Sequence, residues 1–221
     1  MVVKKELLAA TAAILFVVPA SLVRSDESSV VVELHADEAP KLRAWGEDAR
    51  KTLLEWYPRI CNLLPTKGFV APSKVHLRIR KSDKGVAGTA GNKIGVMSHW
   101  IEEHPEDVGV VVHEVVHVIQ AYPDANPGWV TEGIADYIRW AIYDGKPQSW
   151  FPVGEKFDGY KAGYRVSAGF LLWLETDAAP GIVKKLNTHM RLGTYDESVF
   201  ERESEMTLEE LWQSYVKART K

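Results

Sequence analysis

Apolar residues recur along this chain with two periods, and the change from one to the other sketches the architecture. Ser29 to Leu34 is a valine-rich run that predicts a strand. From Ala39 to Leu64 the spacing changes to threes and fours, through Leu42, Trp45, Ala49, Leu53 and Trp56, which predicts an amphipathic helix that Pro58 kinks or ends. Strict alternation returns between Lys74 and Lys81, where Val75, Leu77 and Ile79 are set against His76, Arg78 and Arg80, the signature of a half-buried strand. Gly85 to Trp100 is rich in Gly and Ala and reads as extended, with side chains small enough to admit a second backbone.

The second half is helical in pattern. Pro105 to Tyr122 predicts a helix with Glu106 and Asp107 in its first turn, where the helix dipole favours acids. After the Pro/Gly/Asn/Asp loop 123–128, Trp129 to Ile142 predicts a second helix, ended by Asp144-Gly145. A Gly- and Pro-containing loop covers Lys146 to Gly159, a third helix runs from about Gly163 to Thr176, and the remainder is helical with breaks at Pro180 and Gly193. No internal repeat or low-complexity tract interrupts this order. The expectation is a single α+β domain, residues 26–221, with a small mixed sheet first and helices after it.

Residues 1–25 stand outside that pattern. Lys4 and Lys5 precede the short apolar run Leu7 to Ala20, followed by small residues and the acidic pair Asp26-Glu27. This is the order of a secretory signal peptide, and the run is short for a membrane span; an uncleaved N-terminal anchor is the alternative. The expected location is therefore secreted or periplasmic, with no stable membrane association once the segment is removed. Without it the chain keeps 24 basic and 29 acidic residues, net −5, and the whole chain carries −3. That balance, with scattered aromatic residues, excludes a nucleic-acid partner. The single cysteine, Cys61, has no partner for an internal disulfide and is expected to pack as a small hydrophobe.

One helix carries chemistry. Val112-His113-Glu114-Val115-Val116-His117 contains HExxH, which puts two imidazoles on one face, four residues apart, with Glu114 about 100° around the axis. Neutral imidazoles suit zinc, and a carboxylate beside them can act on water without being a ligand. Three ionisable groups among Val110, Val111, Val112, Val115, Val116, Val118 and Ile119 would be costly to bury without a partner. Glu132, fifteen residues after His117 on the next predicted helix, supplies a third ligand, with Asp136 the reserve choice. Asp136 also lies one turn on, placed to accept the second N–H of a ligand imidazole. Gly133 removes a side chain where two helices come close. The expected cofactor is one Zn2+ per chain, held by His113, His117 and Glu132. Of the other histidines, His99 is placed to line the cleft but is expected on an exposed loop, and His35, His76, His104 and His189 are expected on the surface.

The stretches His113-Glu-Val-Val-His-Val-Ile-Gln120, Gly128-Trp-Val-Thr-Glu-Gly-Ile-Ala-Asp-Tyr-Ile-Arg139 and Gly163-Tyr-Arg-Val-Ser-Ala-Gly-Phe-Leu-Leu-Trp-Leu174 resemble the basic secretory protein family of plant and bacterial zinc metallopeptidases. The tail from Leu186 to Tyr215, with Met190-Arg191 and Leu211-Trp212, is similar to that family's C-terminal end. The acidic balance departs from the family's name. The resemblance implies a zincin-like helical half carrying HExxH and hydrolysis of a peptide substrate. HExxH followed by Glu-Gly-x-Ala-Asp is also similar to gluzincins, in which a later tyrosine stabilises the oxyanion; that similarity points to Tyr164, with Tyr160 second. Absence of a Gly-x-Met-x-Asn motif favours an endopeptidase. In this reading Glu114 is the general base, and Ala87, Gly88 and Ala90 form an edge strand over the cleft that pairs with substrate backbone. A zinc amidase or esterase, and a zinc-holding binding module without activity, are the rival readings.

Overall fold

The computed structural model describes residues 30–154 and 158–220. The expected signal segment therefore lies outside the described residues. Strand β1 (Val31–His35) leads through the long helix α1 (Arg43–Leu63) to strand β2 (Lys74–Arg80), and β1 and β2 pair in parallel. A parallel pair needs such a crossover, and a helix that covers the sheet supplies it. Strands β3 (Ala87–Ala90) and β4 (Lys93–Met97) form a hairpin, β4 parallel to β2 and β3 antiparallel to β4. The resulting mixed sheet has the order β1-β2-β4-β3, with β3 on an edge.

Alternation decides which face of this sheet is covered. Val32, Val75, Leu77, Ile79, Ile94 and Val96 are buried and line up across the register, while Glu33, Arg78 and Arg80 stand on the opposite face. α1 lies close on the apolar face: a Cβ added to Gly46 would come within 2.8 Å of Leu34 and 3.0 Å of Ile79. Pro58 sits inside α1 and does not end it, contrary to one of the two effects expected of it.

Beyond the sheet the chain is helical. Helix α2 (Ser98–Glu103) follows β4 directly, so the segment expected to be extended to Trp100 is a hairpin plus the start of a helix. Helix α3 (Val110–Gln120) begins five residues later than the pattern suggested. Asp107 consequently lies ahead of the helix, where it accepts from Trp100 Nε1 at 3.1 Å and from Arg139 at 2.6 Å. Packed between the sheet and the other helices, α3 buries every residue except His117, which is half-buried. Its valine-rich circumference follows from that position, since a helix covered on all sides has no polar face to keep.

Helix α4 (Gly128–Asp136) continues through π-helical turns at Tyr137–Tyr143, and helix α5 (Tyr164–Trp173) through similar turns at Leu174–Ala178. Helices α6 (Ile182–Leu192), α7 (Ser198–Ser204) and α8 (Leu208–Arg219) complete the chain. Between α4, α5 and α8 the rings of Trp129, Tyr160, Phe170, Trp212 and Tyr215 form one aromatic core. Cys61 is half-buried against the core, and burial pushes its thiol pKa up. Among the described residues no helix is long and apolar enough to cross a membrane.

Candidate metal centre and cleft

A cleft of about 1240 Å³ opens between the edge strand β3 and helices α3, α4 and α5. His113, Glu114, His117, Glu132, Asp136 and Tyr164 all line it. Helical geometry alone puts His113 and His117 on one face of α3. Their Nε2 atoms lie 3.1 Å apart, and Glu132 Oε2 lies 3.3 Å from the first and 3.5 Å from the second. Glu132 reaches them because α4 packs against α3 after the loop 121–127.

The outer nitrogens of both rings are held. His113 Nδ1 donates to Asp136 Oδ1 at 2.7 Å, as the spacing of Glu132 and Asp136 suggests. His117 Nδ1 donates to Gln120 Oε1 at 2.8 Å, and the Gln120 amide donates in turn to the Thr131 carbonyl at 3.0 Å. That second bond fixes which end of the amide faces His117. With each Nδ1 acting as donor, each neutral ring must turn its Nε2 lone pair inward. Two lone pairs and a carboxylate then converge on one point, an arrangement that repels itself unless a cation occupies it. A proton on His113 can serve as that cation. Burial disfavours charge on His113, but Asp136 and Glu132 outweigh it and raise its pKa to about 9. Burial likewise works to raise the Glu132 pKa, and the two imidazoles overcome it and bring it down to about 2. Two imidazoles and one carboxylate within reach of one another, with a side toward the cleft, form a group that could hold a metal ion.

Glu114 is 7% exposed, and its carboxylate is met by the Thr89 hydroxyl at 2.7 Å; the same hydroxyl lies 3.0 Å from the Glu114 carbonyl. β3 is thereby tied to α3 at the residue next to the first histidine. On β3 itself the expected trio divides. Ala87 and Gly88 line the cleft together with Thr89, whereas Ala90 does not. Val86 O accepts from Met97 N at 3.0 Å. The alternation of an antiparallel ladder then turns the N–H and C=O of Ala87 and Thr89 to the free edge, and those of Gly88 and Ala90 toward β4.

Across the cleft, Tyr164 opens α5 with a left-handed backbone, φ 48°. Its side chain is exposed and its ring lies parallel to the His113 ring at 6.4 Å. The Glu132 charge, ahead of partial burial, raises its pKa and keeps the phenol a proton donor. Tyr160, the second choice, is 1% exposed among Trp129, Phe170 and Trp212, which makes it a core residue. Gly133 has the close approach expected of it, but to α5: a Cβ there would lie 2.7 Å from Ser167 Cβ.

Three supporting residues escaped the sequence pattern. Gln120 was visible in principle, three residues after His117 on an otherwise apolar helix. Thr89 alternates with Ala87 and is the one polar side chain of β3. Arg191 offered no local signal: from α6 it donates to the carbonyls of Ile119, Gln120 and Leu64, capping the C-terminal ends of α3 and α1 together. His99 lies on α2, half-buried and outside the cleft, not on an exposed loop.

No curated protein and no solved structure matches the chain. A family model described as a peptidase of plants and bacteria matches residues 22–215, a span that takes in the sheet, the cleft and all eight helices but the last turn of α8. The chain thus belongs to this family of plant and bacterial peptidases.

Proposed function

We propose that this protein is an exported, zinc-dependent endopeptidase in which His113, His117 and Glu132 hold the metal and Glu114 is the general base. The observation that carries the reading is the convergence of two inward lone pairs and one carboxylate, with Asp136 and Gln120 fixing the imidazoles from behind. Zinc, when bound there, supplies a Lewis acid that activates water and polarises the scissile carbonyl. The chain's own residues do the rest. Glu114, oriented by Thr89, accepts a proton from the attacking water and delivers it to the leaving amine. The Tyr164 hydroxyl donates to the oxygen that gains charge as the carbonyl carbon becomes tetrahedral. The free backbone groups of Ala87 and Thr89 pair with an extended substrate along the edge of β3, and Gly88 keeps the strand slim. The sequence has no Gly-x-Met-x-Asn motif to hold a substrate amine, which favours an internal peptide bond over a terminal one. Export follows from the N-terminal residue pattern, and the zincin-like character of the helical half from the HExxH helix with its downstream glutamate.

The test is Glu114→Gln. Hydrolysis of a peptide library should fall by several orders of magnitude while zinc, measured by atomic emission, stays at the parent level. Full activity in that variant, or parent activity that survives exhaustive chelation, would sink the reading.

A further inference from the structure

On the side of the sheet away from the helices, His35 and His76, both expected on the surface, meet Glu33. Glu33 and His35 stand two apart on β1 and so share a face, and His76 is the direct cross-strand partner of Glu33 on β2. His76 Nδ1 lies 3.1 Å from Glu33 Oε2 and 3.3 Å from His35 Nε2, and the two rings are 5.5 Å apart at 34°. All three residues are half-buried, and one potential ligand atom from each falls within 4.8 Å of the others. Among the described residues only the cleft histidines with Glu132 share that property. Two of the three separations here, 3.1 and 3.3 Å, are those of the cleft, where all three run from 3.1 to 3.5 Å; the third, Glu33 to His35, is wider but within 4.8 Å.

Lys74 donates to Glu33 Oε1 at 2.7 Å. That contact holds the carboxyl below the ordinary carboxylate range and leaves Oε2 turned to His76. The parallel register, not a loop, sets the three side chains side by side, so little order has to be gained on binding. Two imidazoles and a carboxylate select borderline divalent ions such as Zn(II), Cu(II) and Ni(II) over Ca(II) or Mg(II). We propose that Glu33, His35 and His76 form a second transition-metal site, open to solvent, that clamps the edge strand β1 to β2.

The chelator-stripped full chain is titrated with Zn(II) and followed by calorimetry, beside the double variant His35→Ala/His76→Ala. The parent should take up one equivalent more than the double variant, and the variant should cleave peptide as the parent does. Far-UV circular dichroism and melting in chelator check that both fold. Glu33→Gln leaves both rings in place and should weaken the same equivalent by roughly tenfold or more, at least the loss that removing an outer-shell partner causes. Equal stoichiometry in parent and double variant overturns the site. Failure of the cleft to bind zinc would instead show as an equivalent missing from both, with their difference intact.

Discussion

His113 and His117 each commit one ring nitrogen to a side chain behind it, Asp136 for the first and Gln120 for the second. These partners leave the two Nε2 atoms with nowhere to point but the cleft, and they make the rings more basic. Tyr164 is the other residue whose position needs explaining. A non-glycine residue at φ 48° costs of order 1 kcal/mol and persists only where the surroundings impose it. Here Gly163 at φ 72° turns the chain sharply into α5 and leaves the phenol in the cleft rather than in the core. If that phenol donates to the developing oxyanion, Tyr164→Phe should lower kcat by about 10²- to 10³-fold with KM and zinc content little changed. A change confined to KM would make Tyr164 a binding residue only.

At the scale of elements, the site depends on how closely α3, α4 and α5 approach one another. Gly133 follows Glu132 directly, and its missing side chain is what lets α4 lie against Ser167 and Leu171 of α5. Ser167 cannot retreat easily, being fully buried with its hydroxyl on the Tyr160 carbonyl at 2.6 Å. Gly133→Ala should therefore destabilise the fold by about 1–3 kcal/mol, the usual cost of overpacking, and shift Glu132 along with the helix. Thermal melting reports the first effect and zinc affinity the second. Unchanged values of both would mean that α4 and α5 can slide apart freely.

For the molecule as a whole, the proposed metal would compete with a proton for one place. In the metal-free protein the raised pKa of His113, about 9 against an ordinary 6.5, means that the protonated ring stabilises the fold. That contribution is fully present below pH 6.5 and is lost as pH rises through 9. Zinc at the proposed site would require the neutral ring, so it would bind against the proton at low pH and without competition at high pH. Zinc at about a hundredfold excess over its dissociation constant should add about 2.7 kcal/mol, a rise in Tm of several degrees for a chain of this size. The increment should grow between pH 6.5 and 9, measured by scanning calorimetry with and without chelator. An increment that shrinks over that range would contradict the proton-for-zinc exchange.

The sequence by itself determined whatever depends on neighbours along the chain. A strand alternates with period two and a helix returns every 3.6 residues, so β1, β2, α1 and the spacing of His113 with His117 could be read from local pattern. The likeness of three stretches to a known peptidase family was legible for the same reason. Boundaries were harder, because Pro105, Glu106 and Asp107 fit a helix start in isolation, while Asp107 is held outside α3 by Trp100 and Arg139. Tertiary structure alone decided what depends on distant residues meeting. Tyr160 and Tyr164 differ by one helical turn in sequence, yet aromatic packing buries the first and a left-handed residue exposes the second. Arg191 joins the ends of two helices about 70 and 127 residues away, where no periodicity can point. Parallel pairing through a crossover helix sets His76 beside Glu33, 43 positions earlier. Local rules state which face a side chain takes; only the fold states what that face meets.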